Sequence, residues 1–146
     1  FPGFNYRMTE ISGAIGKVQL SKLDRILADQ KKRYLQLEKQ LKDHFSLRQI
    51  PHKSEPAYDT FIFKVPSKKL REDIVSVLNA QGIGTKNLPD ALRWHSAYHW
   101  THLIGRKNVS AIRETHELLS EHIAIPIRIG LRLGDYDRAV KAMLEL

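Results

Sequence analysis

Apolar residues recur along the first third of the chain at the three- and four-residue steps of a helix. Ile11, Ile15, Val18, Leu23, Ile26, Leu27, Tyr34, Leu37 and Leu41 draw a drifting stripe from Thr9 toward Phe45, while Lys31, Lys32, Glu38, Lys39, Lys42 and Asp43 keep other faces wet. Thr9 is placed to cap this helix, with Glu10 in its first turn. So long a helix is expected to kink or break between Ser21 and Asp24. The heptads are not sustained over enough turns for a coiled coil. Gly13 and Gly16 interrupt the opening turns, and each costs about 1 kcal/mol against Ala in a helix interior. Two of them imply that something packs closely on that face.

Beyond His44 the period changes. Pro51 and Pro56 lead into Tyr58-Asp-Thr-Phe-Ile-Phe-Lys-Val65, dominated by aromatic and β-branched residues, which predicts a buried or half-buried strand. Ser67 is the expected cap of a helix carrying Leu70, Ile74, Val77 and Leu78, and Gly82 is its natural stop. Ile83-Gly-Thr85 is expected to enter a short second strand. The order then repeats more loosely, with a helix over Ser110–His122, a strand over Ile123–Ile129 and a closing helix over Asp135–Leu146. The predicted fold class is α+β: a long N-terminal helix, then a small domain with helices packed on one side of a short, mostly antiparallel sheet.

Composition narrows the classes. With 146 residues, 42% of them hydrophobic, the chain can build one ordinary core. It opens on Phe1 and reads there like the middle of a loop, so a fragment is expected. No stretch is long and apolar enough to span a membrane and no signal-peptide pattern opens the chain, so a soluble protein is expected. The lack of Cys excludes disulfides and thiolate metal sites and is compatible with a cytoplasmic protein. The net charge of +8 could attract nucleic acid, a membrane surface or anionic metabolites. Its distribution argues against a nucleic-acid stripe, because Lys31-Lys32-Arg33, Lys68-Lys69 and Arg128/Arg132 fall in separate elements.

Candidate chemistry gathers in two places. In the opening stretch a turn, Asn5 and Arg7 stand just before a helix start, which sets polar donors beside a positive helix end and suits an anion. By residue type alone, Asn5 could equally make a turn bond and Arg7 a surface ion pair. In the middle loop, Gly82 to Trp100, Trp94 offers a face for stacking, and Arg93 and His95 can bond hydroxyl or acid groups. Trp94, Tyr98 and Trp100 can equally be core. His95, His99 and His102 have spacings that could gather imidazoles for zinc, but no Cys or nearby carboxylate completes the set, and no metal is expected. Neither a nucleophile motif nor a phosphate-cradling Gly-rich loop is present.

The run GFNYRMTEISGAIGKVQLSKLD, from Gly3 to Asp24, resembles the segment of the DegT/DnrJ/EryC1/StrS sugar aminotransferases in which Asn, an aromatic, Arg, and Met or Leu precede a Thr/Ser-Glu helix start. The match is long and mostly consecutive, so it is far more specific than a short motif. Gly13 stands where that family usually has Ala, a departure in packing more than in chemistry. The resemblance implies the C-terminal part of a fold-type I transferase that uses pyridoxal 5′-phosphate (PLP). Residues 1–45 would be an interface loop and long helix linking to a large domain, and 46–146 the small C-terminal α+β domain.

The implied function is transfer of an amino group from an amino acid, commonly glutamate, to a keto-sugar in cell-surface (lipopolysaccharide) or secondary-metabolite sugar biosynthesis. The resemblance implies a cytoplasmic homodimer with composite sites, in which Asn5 reaches the PLP phosphate of the neighbouring subunit and Arg7 lies in the same pocket. Thr85 and His95, with Arg93 and Trp94 beside them, map onto the loop that lines the sugar side. The Leu88-to-Trp94 wording departs from the family's usual His-Tyr pattern, and the Lys86-to-Trp100 segment is similar to the branch acting on octulosonate-type keto-sugars. The lysine that binds the cofactor lies upstream of the matched segment in that family. No lysine here, Lys17 and Lys86 included, has a matching context, so no catalytic residue is assigned and the chain alone is expected to be inactive. Family members that replace this lysine with His are sugar dehydratases, which keeps that activity open, as is a free-standing basic module that binds anions or nucleic acid.

Overall fold

A computed structural model describes residues 8–86 and 97–146. Helix α1 (Glu10–Leu20) starts where Thr9 Oγ1 accepts the Ser12 N–H at 3.2 Å. The expected break falls at Ser21 and Lys22, after which α2 runs Leu23–Leu41 rather than on to Phe45. At the break, the Lys22 N–H has tightened onto Gln19 O at 3.1 Å, a three-residue closure that ends α1. Strand β1 (Ser46–Leu47), unforeseen from sequence, pairs antiparallel with β2 (Thr60–Lys64), which sits inside the predicted 58–65 run. Then α3 (Lys68–Ala80) is capped by Ser67, whose Oγ accepts from Leu70 N at 3.2 Å, and Gly82 closes it at φ +71°.

Several expectations are corrected after Gly82. Ile83–Thr85 form no strand: Gly84 turns the backbone to φ +67°, out of the extended region, and the Lys86 N–H then bonds β3 at Ala124 O. A 3-10 turn (Ala97–His99) is followed by α4 (Thr101–Ala111), itself interrupted at Gly105 (φ 76°, ψ 153°), and by α5 (Arg113–Ser120). The single helix expected over 110–122 is therefore two, parted at Ile112. Strand β3 (His122–Pro126) is shorter than the predicted 123–129: past it the Ile127 N–H still reaches Asp59 O, but the Pro126 carbonyl and the Arg128 N–H are taken by the Tyr136 hydroxyl. The closing helix α6 spans Leu133–Leu144.

The sheet has the order β1-β2-β3 and is antiparallel throughout, with Phe61 opposite Ile125 and Phe63 opposite Ile123. These four side chains are fully buried on one face. Against them pack Tyr34, Leu37 and Leu41 from α2, Ile74 and Leu78 from α3, and Tyr136, Ala139, Val140 and Met143 from α6. The architecture is α+β with the helical layer on one side. The other face carries Thr60, Ile62, Lys64, His122 and Ala124, which are half-buried or exposed, and Pro126, which is buried. Helix α1 buries nothing: Ile11, Ile15 and Val18 are 74%, 57% and 51% exposed. The close packing expected at Gly13 and Gly16 is not provided by the described residues, among which a Cβ would meet only Met8 at Gly13 and nothing at Gly16.

Candidate functional site

Of the residues singled out from sequence, Asn5, Arg7, Arg93, Trp94 and His95 lie outside the described residues, and Thr85 lies within them. Thr85 is half-buried. The approach to it is built tightly. Arg128 donates from its guanidinium to Ile83 O at 2.5 Å, and its Nη2 stands 3.3 Å from where a Gly84 Cβ would be; the positive φ favours glycine, and a side chain there would also make the Arg128 tip give by about a few tenths of an ångström. Arg128 is itself set by Tyr136, whose hydroxyl accepts the Arg128 N–H at 2.9 Å and donates to Pro126 O at 3.0 Å.

Lys86 follows. Its N–H donates to Ala124 O at 2.8 Å, and its ammonium donates to Asp59 Oδ2 at 2.8 Å and to Thr60 Oγ1 at 3.0 Å. That hydrogen bond holds the Asp59 carboxyl below the usual carboxylate range. Asp59 was not singled out from sequence. A lone Asp before a strand carries no distinguishing signal, and its partner lies 27 positions away.

The chain re-enters the described structure at the 3-10 turn. Tyr98 stacks on His116 of α5 with centroids 3.9 Å apart and planes within 6°, and the His99 ring meets both edge-on at 5.6 Å. Burial, then the neighbouring His99 and Lys68, push the His116 imidazole below its ordinary value. Tyr98 is thus a packing residue at the exit of the loop, and Trp100 is half-buried beside it in sequence. Among the described residues no group of three His, Asp or Glu side chains is arranged to hold an ion; His95, which the spacing groups with His99 and His102, lies outside them.

Several basic residues are engaged within the described fold. Arg33 is buried and donates to the carbonyls of Leu131 and Ile129 at 3.1–3.2 Å, and it pairs with Asp29. Lys31 pairs with Glu55, Lys69 with Asp73, and Arg132 with Asp135. Arg128 is turned toward Ile83, as above. Among the described residues no helix is long and apolar enough to cross a membrane.

Comparison with known proteins adds the wider setting. The profile of the DegT/DnrJ/EryC1/StrS aminotransferase family matches residues 1–144. A curated relative, the GDP-4-keto-6-deoxy-D-mannose 3-dehydratase of Escherichia coli O55:H7, is 37% identical over 84 residues, which is 56% of this chain and 22% of that protein. Among solved structures, the Helicobacter pylori aminotransferase PseC, involved in pseudoaminic acid biosynthesis, superposes with a TM-score of 0.74 at 18% identity, over 98% of this chain and 38% of its own. The sugar aminotransferase CalS13 of Micromonospora echinospora gives 0.70 at 21%, over 98% and 37%. The E. coli 3-dehydratase with bound hydrated PLP gives 0.68 at 22%, over 98% and 37%. At these identities the structural likeness speaks for the fold, and the chain spans less than two-fifths of each relative's length.

Proposed function

The chain belongs to the DegT/DnrJ/EryC1/StrS aminotransferase family, and from that premise we propose that it is the C-terminal portion of a PLP-dependent enzyme transferring an amino group from an amino acid, glutamate in the first instance, to a keto-sugar. The match over residues 1–144 carries the reading. The donor chemistry of the opening segment agrees with it. A PLP phosphate is a dianion, and Asn5 offers neutral amide N–H donors while Arg7 offers a guanidinium fork, both in the run leading to the capped start of α1. Those residues fit the phosphate end of the cofactor and leave its reactive end to the large domain. When bound, PLP supplies an electron sink for the bond broken at the amino-bearing carbon.

The roles of this chain's residues follow from that. Asn5 and Arg7 hold the cofactor phosphate of the neighbouring subunit in a cytoplasmic homodimer with composite sites. Thr85, Arg93, Trp94 and His95 orient the sugar: Trp94 as a stacking surface, and the others as hydrogen-bonding groups. Residues 1–45 link and dock to the large domain, which accounts for an apolar face on α1 that the described residues leave uncovered. The pathway is cell-surface or secondary-metabolite sugar biosynthesis, with octulosonate-type keto-sugars as one acceptor class. The 37% identity to a 3-dehydratase favours a second reading, a PLP-dependent sugar dehydratase of the same family.

The test uses the full-length protein with PLP, glutamate, and a panel containing GDP-4-keto-6-deoxy-D-mannose and an octulosonate-type keto-sugar. Appearance of 2-oxoglutarate and an amino-sugar supports transamination. Loss of a hydroxyl from the sugar with no amino group gained selects dehydration, and neither product overturns both. Asn5→Ala is expected to weaken PLP retention by roughly ten- to a hundredfold, the effect of losing one bond to a charged group, with circular dichroism unchanged.

A further inference from the structure

Residues 98–120 stand apart from the main packing. None of them belongs to the hydrophobic core that α2, α3, α6 and the sheet share, and within that span only Val109 and Ser120 are buried. Helices α4 and α5 are 11 and 8 residues long, neither start has a side-chain cap, and α4 is interrupted at Gly105. Helices this short are marginal on their own, so their tertiary contacts decide whether they stay in place.

The two helices are not held equally. The end of α5 is fastened to the sheet: Glu121 O accepts the Val65 N–H at 2.8 Å, the Glu121 carboxylate pairs with Lys64 at 2.9 Å, and Leu118 O accepts from His122 Nδ1. Ahead of α4, the 3-10 turn reaches α5 through Tyr98, whose ring lies flat on His116, with His99 edge-on to both. The stack thus ties the start of the segment back to a fixed point, with α4 spanning the interval.

The groups that face His116 are Tyr98 and His99 from the 3-10 turn, Lys68 from the first turn of α3, and Glu117 on α5 itself. Glu117 is engaged by Arg113 at 3.1 Å. The Tyr98 face attracts an imidazolium. Burial opposes it first, then the His99 imidazole and the Lys68 ammonium, and the net effect holds the group below its ordinary value. We propose that the Tyr98–His116 stack is an acid-released latch: with His116 neutral it holds the 3-10 turn and α4 against α5, and protonation frees the turn and α4 as one local unit while the core stays folded. Release leaves His116 in water, where it takes the proton more readily, so opening is favoured as pH falls.

The experiment is hydrogen exchange on the full-length protein at about pH 7.5 and about pH 5.5, read by mass spectrometry and corrected for intrinsic rates. In wild type the amides of α4 should be less protected than those of β2 and β3 at both values, as a unit that opens on its own requires. Their protection should fall at least about threefold further at the lower pH. His116→Phe and His116→Gln have no proton to gain. In whichever folds, shown by β2 and β3 protected as in wild type, that fall should vanish. Protection of α4 equal to that of the sheet overturns the latch, because the segment would then open only with the whole molecule. So does wild-type protection that ignores pH, or a fall that persists in the variants, which would trace it to His99 or His102 instead.

Discussion

Single residues in this fold answer to more than one constraint, and Gly84 is the clearest. A side chain there would have to hold φ +67° and also displace Arg128 Nη2, 3.3 Å from the Cβ position. The left-handed backbone alone costs an L-residue about 1–2 kcal/mol. Gly84→Ala is therefore expected to lower the denaturant midpoint by that free energy or more with secondary structure retained, and an unchanged midpoint would contradict the account. The effect should also reach function in the full-length enzyme, because the Arg128 bond to Ile83 O shapes the approach to Thr85.

Between elements, the stack of Tyr98 on His116 ties the 3-10 turn at the exit of the middle loop to α5. Burial favours the neutral imidazole, and the nearby His99 and Lys68 act in the same direction against the opposing Glu117. The folded-state value thus lies below the ordinary 6.5, so the unfolded chain binds the proton more readily. This contribution to stability is complete above that value and is lost as pH falls from it toward the folded-state value. His116→Phe keeps a ring for Tyr98 and removes the titration. Between about pH 7 and 5 the fall in unfolding free energy should be shallower in the variant than in wild type. Equal slopes would show that His116 does not carry the dependence.

At the scale of the whole molecule, a chain spanning 37–38% of the aminotransferases it resembles is expected to be inactive alone, with its exposed α1 face docked in the complete protein. The composite-site proposal has a sharper consequence. Mixing full-length Asn5→Ala subunits with subunits lacking the cofactor-binding lysine produces heterodimers in which one site joins both defects and the other has neither. Activity should then be partly restored above that of either parent. Heterodimers that form, as shown by differential tagging, yet recover no activity would exclude a cross-subunit role for Asn5.

What the sequence determined on its own was what short range decides. Thr9 and Ser67 cap helices by bonds three residues away, Gly82 stops α3 by its own φ, and the aromatic run from Tyr58 to Val65 declares a strand by composition. The Gly3–Asp24 run likewise carried the family within one continuous stretch. Tertiary structure decided whatever depends on distant partners. Two-residue β1 exists only because Phe63 and Lys64 offer it a ladder, and Ile83–Thr85 miss becoming a strand because Arg128 and Gly84 bend them away. Helices α4 and α5 part at Ile112, where sequence periodicity reads as continuous. Lys86 acquires its partners across β3 from positions 26 and 27 residues earlier. A local pattern records which conformation each residue prefers, but not which far-off donor will find which acceptor once the sheet brings them within 3 Å.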